Sequence, residues 1–244
     1  MSAVLFIGHS HMVCVLNAAQ EAGVPFQAVT LKAVDDPSHF FGLDRAAVIE
    51  DTGKPDFHDR TKALIAGEAG PVYSFISGIM HVQLGLRRLD DPSEPAFDFV
   101  LPESPGLALD AGAEVIPSDA MRDVIRGQFK SRLKMLTRLA AVAPDRVVQF
   151  APPPPVSDRW LEPLLDKTSV KATELPNRWL RWKLWRLTVE VFRQHARDLG
   201  ARFVETPTQA MDADGFMRDD LVRNATHGNT AFGALLLEQI RARP

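Results

Sequence analysis

The chain has 244 residues, 45% of them hydrophobic, and a formal net charge of −3. That length and apolar content suffice for one sizeable core, expected as a single domain over 1–244. The charge gives no bulk attraction to nucleic acid or to an anionic membrane. A single cysteine, Cys14, excludes an internal disulfide and any paired-cysteine zinc pattern. No apolar stretch has bilayer-crossing length, and no basic segment precedes an apolar run with a small-residue cleavage site. A soluble, cytoplasmic protein without a membrane span is therefore expected.

The first element is a four-residue apolar run, Val4-Leu5-Phe6-Ile7, broken by Gly8. Ser10 follows at the turn into a helical pattern (Met12, Val13, Val15, Leu16, Ala19) that ends at Gly23. Its position suits an N-cap, which accepts from an N–H two or three residues on. It equally suits a nucleophile, because the free N–H groups and dipole of a helix start favour a developing negative charge. Phe26–Leu31 reads as a second strand. Residues 35–57 read as irregular, with Pro37, Gly42, Gly53 and Pro55 as breakers. Asp59 is placed to cap a short helix, and Val72–Ser77 reads as a third strand ending at Gly78. Near-continuous apolar runs of this kind suit parallel strands buried on both faces.

Residues 85–117 carry five prolines between short apolar pieces and are expected to pack across the sheet edge as the rim of a cleft. Ser118 is expected to cap a helix running to about Val142. One face of that helix carries Met121, Val124, Ile125, Phe129, Leu133, Leu136 and Leu139. The other carries Arg122, Arg126, Lys130, Arg132, Lys134 and Arg138, a stripe that reads more simply as a solvated face than as an anion site. Val147–Ala151 is a fourth strand, entering the stiff run Pro152–Pro155. A long helical pattern covers Pro176–Leu199, with Trp179, Trp182 and Trp185 among Arg178, Arg181, Lys183 and Arg186. Its broad apolar face implies core packing or a homodimer contact. Arg202–Glu205 is a fifth strand, and an Asp-rich loop leads to a last helix, Phe232–Ile240. Strands alternating with helices predict a doubly wound, flavodoxin-like α/β domain of three layers with about five parallel strands. Ligands then sit beyond the carboxyl ends of the strands.

The second chemical candidate stands at the far end of the chain, in Asn224-Ala225-Thr226-His227-Gly228-Asn229. A histidine among turn-forming polar residues at a helix start is poorly suited to a core. It can serve as the base that a serine hydroxyl needs, oriented in turn by an acceptor. Asn224 is positioned for that, with Asp219 and Asp220 as substitutes. His9 and His11, with His81, make a weaker case for metal ligation, since no acidic cluster joins them. No Gly-rich dinucleotide loop, P-loop or G-x-S-x-G elbow occurs.

Gly8-His9-Ser10 after the first strand resembles the G-D-S block of the SGNH/GDSL hydrolase family. Asn224-Ala225-Thr226-His227 is similar to that family's D-x-x-H block, and the likeness extends over about residues 3–241. It implies a serine esterase without a cofactor, acting on an ester of a small molecule or carbohydrate, with Ser10 as nucleophile and His227 as base. The departures are His9 and Asn224 in place of the two aspartates, and Ile79 and Met80 where the family's G-x-N-D places its oxyanion asparagine. Gly42 is the candidate for the second-block glycine. The hole would then rest on the backbone N–H groups of Ser10 and Gly78, with His81 beside them and Gly8 and His9 framing the turn. A degenerate member that binds a ligand without catalysis is the alternative.

Overall fold

The computed structural model describes residues 3–31, 45–86, 95–165 and 175–242. In chain order the strands are β1 (Val4–Gly8), β2 (Phe26–Leu31), β3 (Val48–Asp51), β4 (Val72–Phe75), β5 (Phe97–Asp98), β6 (Glu114–Val115), β7 (Val147–Phe150), β8 (Arg202–Val204), β9 (Val222–Asn224) and β10 (His227–Gly228). The helices are α1 (Val13–Glu21), α2 (Asp59–Gly67), α3 (Met80–Gly85), α4 (Ser118–Val142), α5 (Arg178–Asp198) and α6 (Thr230–Arg241).

Alternate residues of β1 point to opposite faces of the sheet, and both faces are covered. Phe6 joins Ala28, Tyr73, Phe75, Phe150 and Val204 under α1 and α6. Leu5 and Ile7 join Val29, Val72 and Val147 under α4 and α5. The architecture is a three-layer α/β/α sandwich.

Six strands pair in parallel in the order β3-β2-β1-β4-β7-β8. Without β3 this is the expected five-strand, flavodoxin-like order. The sixth strand, Val48–Asp51, falls in the segment that the sequence reading treats as irregular. It escapes that reading because it is an edge strand, with Glu50 exposed between buried Ile49 and Asp51, so no apolar run marks it. The order reverses between β1 and β4, and the crevice beyond their carboxyl ends is the expected ligand site of such a sheet.

Helix starts differ from expectation: Asp59 is the first residue of α2, whose cap position is His58, and α6 begins at Thr230 rather than Phe232. Ser118 is the first residue of α4 rather than its cap, a position taken by Pro117. In α5, the Asn177 side chain accepts from Trp179 N, which fixes the start within the Pro176 region. Of the α5 tryptophans Trp185 is buried, and Trp179 and Trp182 are half-buried. Trp185 Nε1 donates to the Pro152 carbonyl at 3.1 Å, and Trp179 packs edge-on against Trp182 and Phe216. Pro152–Pro155 is buried and supports these contacts.

The 95–117 segment is anchored by charge as well as by apolar packing. Lys183 Nζ on α5 lies 2.5 Å from Asp98 Oδ1, and both side chains are fully buried. Asp98 also accepts from the N–H groups of Phe99 and Asp110. Stripping either charge of its partner would cost about 3–5 kcal/mol, so the segment is held to α5 and not only to the sheet edge.

One close approach sets the geometry of the site. A Cβ on Gly233 would lie 2.0 Å from the Cys14 carbonyl oxygen, so only glycine lets α6 pack this tightly on α1. The segments that lead into these two helices carry Ser10 and His227.

Candidate active site

Ser10 opens a short 3-10 turn, Ser10–Met12, that runs directly into α1. The capping role open to it in the sequence is not what its hydroxyl does. His9 holds the N-cap position and caps nothing with its side chain. Ser10 Oγ instead lies 2.8 Å from His227 Nε2, across 217 residues of chain. The backbone N–H of Ser10 sits in the first turn, where N–H groups have no intrahelical acceptor.

His227 is presented by the β9–β10 hairpin just before α6, whose cap is Asn229 accepting from Phe232 N. Gly228 must follow it, because a Cβ there would lie 2.4 Å from the Phe232 ring. His227 Nδ1 lies 3.0 Å from Asn224 Oδ1 and 2.8 Å from Thr226 Oγ1. Asn224 Oδ1 also accepts from the backbone N–H groups of Thr226 and His227, each at 3.0 Å. Backbone N–H groups can only donate, so the amide must turn its oxygen, not its nitrogen, toward the ring. That assigns the proton to Nδ1 and leaves the Nε2 lone pair facing the Ser10 hydroxyl. The buried His11 ring packs against His227 at 5.0 Å between centroids and braces its plane.

The substitutes considered for Asn224 are engaged elsewhere. Asp219 accepts from Ser157 Oγ and Trp160 Nε1, which keep its carboxyl below the usual carboxylate range. Asp220 pairs with Arg218. Neither orients His227.

Gly8 ends β1, where a Cβ would lie 2.6 Å from the Phe75 Cβ; its role is the close approach of β1 and β4. His9 is buried. Burial first, then the Arg132 guanidinium and more weakly the Lys54 ammonium, push its pKa down to about 3 against a hydrogen bond to the Phe75 carbonyl. It is neutral at physiological pH and replaces the expected aspartate with no charge. Gly78 lies in the buried loop after β4. That loop is braced by the Ser74–Gln149 hydrogen bond at 2.6 Å, with Gln149 Nε2 reaching on to the Ile76 carbonyl at 3.4 Å. The His81 side chain and Gly42 lie outside the described residues. Among those residues no three His, Cys, Asp or Glu side chains converge on a metal position, and no helix is long and apolar enough to cross a membrane.

Arg132 and Lys54, close enough to depress His9, are what the sequence reading missed at this site. Arg132 belongs to the stripe that reads more simply as a solvated face than as an anion site, and Lys54 carries no local signal.

No protein-family model matches the chain, and no curated protein matches it. Among solved structures the chain is similar to a GDSL-like lipase from Bacteroides thetaiotaomicron, with 10% identity, a TM-score of 0.42, and coverage of 99% of this chain and 89% of that one. It is also similar to the lipase/acylhydrolase from Enterococcus faecalis, with 12% identity, a TM-score of 0.38, and coverage of 100% and 97%. Likeness at this level says nothing of the chemistry, which must come from the geometry of the site.

Proposed function

We propose that the protein is a serine ester hydrolase that removes an O-acyl group from a small molecule or carbohydrate. The observation that carries this reading is the 2.8 Å contact between Ser10 Oγ and His227 Nε2, with the Nδ1 proton held on the other side by Asn224. A free serine hydroxyl is a weak nucleophile, and this contact is what activates one.

In the reaction, Ser10 Oγ bonds to the ester carbonyl carbon as its proton passes to His227 Nε2. The carbonyl oxygen becomes an oxyanion and is met by the N–H groups of Ser10 and Gly78. Collapse of the tetrahedral intermediate breaks the bond to the alcohol oxygen, which takes the proton from His227. Water then repeats the sequence on the acyl-enzyme, releasing the acid and restoring Ser10. No cofactor enters. The side-chain donor of an oxyanion asparagine is missing after Gly78, and one such donor is worth about 100- to 1000-fold in rate. That absence, together with Asn224 where an orienting carboxylate would stand, is what favours a ligand-binding protein without turnover.

The test is hydrolysis of an unhindered neutral ester such as phenyl acetate. The wild-type protein should release phenol catalytically and the Ser10→Ala variant should not. Turnover that survives in Ser10→Ala would contradict the assignment.

A further inference from the structure

The cationic face of α4 is not uniform. Arg122 pairs with Asp119 and Glu190, and Arg126 approaches Asp123 at 3.9 Å. Arg138 donates to the Gly53 carbonyl at 2.9 Å. Lys130 and Lys134 are exposed. Arg132 is different: its guanidinium is turned inward against the loop after β4, where a Cβ on Gly78 would lie 2.8 Å from Nε and 3.1 Å from Cζ. The missing side chain at position 78 is the space the guanidinium uses.

Among the described residues Arg132 has no carboxylate partner and makes no hydrogen bond, and desolvation alone perturbs it. Arg181 pairs with Asp158 and Arg178 with Asp214, and the half-buried Arg138 and Arg146 donate to backbone carbonyls; among the described residues Arg132 has neither kind of partner. A half-buried guanidinium with neither a carboxylate nor a carbonyl partner has given up hydration that a bound anion restores most fully.

Its place fixes where that anion would sit. Gly78 lies in the loop after the carboxyl end of β4, and the Arg132 charge acts on His9, the neighbour of Ser10, just past the carboxyl end of β1. The guanidinium therefore lies beside the loops that follow those two strands, at the switch point of the sheet. Lys54, from the loop after β3, is a second cation within electrostatic reach of His9 and has no ion pair among the described residues. Arg132 and Lys54 thus place two cations without an ion pair among the described residues near His9. Of the two, the half-buried Arg132 guanidinium is the one suited to a fixed charge on the substrate.

We infer that Arg132 is a substrate-binding residue that recognises a negatively charged group, so that the esterase acts on esters carrying a carboxylate or similar anion near the scissile bond. This rests on the ester-hydrolase reading of Ser10 and His227.

Matched esters test it. On the acyl side, phenyl hemisuccinate is compared with phenyl butyrate; on the alcohol side, 4-acetoxybenzoate is compared with phenyl acetate. Wild-type kcat/KM should favour the charged member of at least one pair, and that pair identifies which side of the ester carries the anion. Arg132→Met should lower kcat/KM for that charged ester by about 10- to 100-fold, and leave its neutral mate within about threefold. Arg132→Lys should retain part of the preference. With the wild-type protein alone, added salt should erode the charged-over-neutral ratio, a readout that needs no variant to fold. Equal losses on charged and neutral esters would overturn the inference, as would no wild-type preference in either pair. Absence of turnover on all four esters would instead strike the ester-hydrolase reading itself.

Discussion

Replacing His227 by Ala is expected to lower kcat on a neutral ester by about 10²–10⁴-fold, the usual worth of a positioned general base. The Ser10 Oγ–His227 Nε2 contact is the only route in the described geometry by which the Ser10 proton reaches a base. His227 is partly exposed and lies in a two-residue strand. Its loss removes a surface hydrogen-bond group and the ring that covers His11, but no core volume. Thermal unfolding should therefore stay close to wild type, which separates a chemical loss from a folding loss. An unchanged rate in a folded His227→Ala protein would remove His227 from the mechanism.

Asn224→Asp should act in the opposite direction, raising kcat by about 10- to 100-fold at neutral pH. Changing the orienting carboxylate of a serine triad to an amide costs several orders of magnitude, chiefly by turning the imidazole to the wrong tautomer. Here the amide avoids that fault. Its oxygen is pinned toward the ring by the N–H groups of Thr226 and His227, so the Nδ1 proton is already placed. What the amide lacks is charge. When Nε2 takes the Ser10 proton the ring becomes an imidazolium, and a carboxylate at the same 3.0 Å would stabilise it. Position 224 is exposed, so solvent screens part of that gain, hence the modest figure. Among the described residues the Asn224 side chain bonds only through its oxygen, so aspartate fits without rearrangement. A flat response in kcat, with the fold retained, would support the ligand-binding alternative.

The parts of this structure legible in the sequence are those written in local patterns. β1, β2, β4 and β7 show as apolar runs because both of their faces are buried. Ser10 and His227 show as candidates because each stands in a turn directly before an amphipathic helix. That both helices then pack through Gly233 on Cys14, bringing the turns together, is a tertiary fact with no local signature. β3 was hidden because an edge strand exposes one residue in two. Asp219 was a reasonable partner for His227 by sequence distance, yet Ser157 and Trp160, some 60 positions away, claim it. Arg132 and Lys183 illustrate the same limit. Arg132 looks like a member of a solvated cationic face until Gly78 makes room for it, and nothing local marks Lys183 for the burial it shares with Asp98.

The central claim is that the Ser10 hydroxyl is activated. Its most direct test is intact-mass measurement after exposure of the purified protein to a fluorophosphonate, which phosphonylates activated serines. The account predicts a single adduct on the wild-type protein that is absent from Ser10→Ala and strongly slowed in His227→Ala. A folded wild-type protein that takes up no label, or one whose label persists in Ser10→Ala, would contradict it.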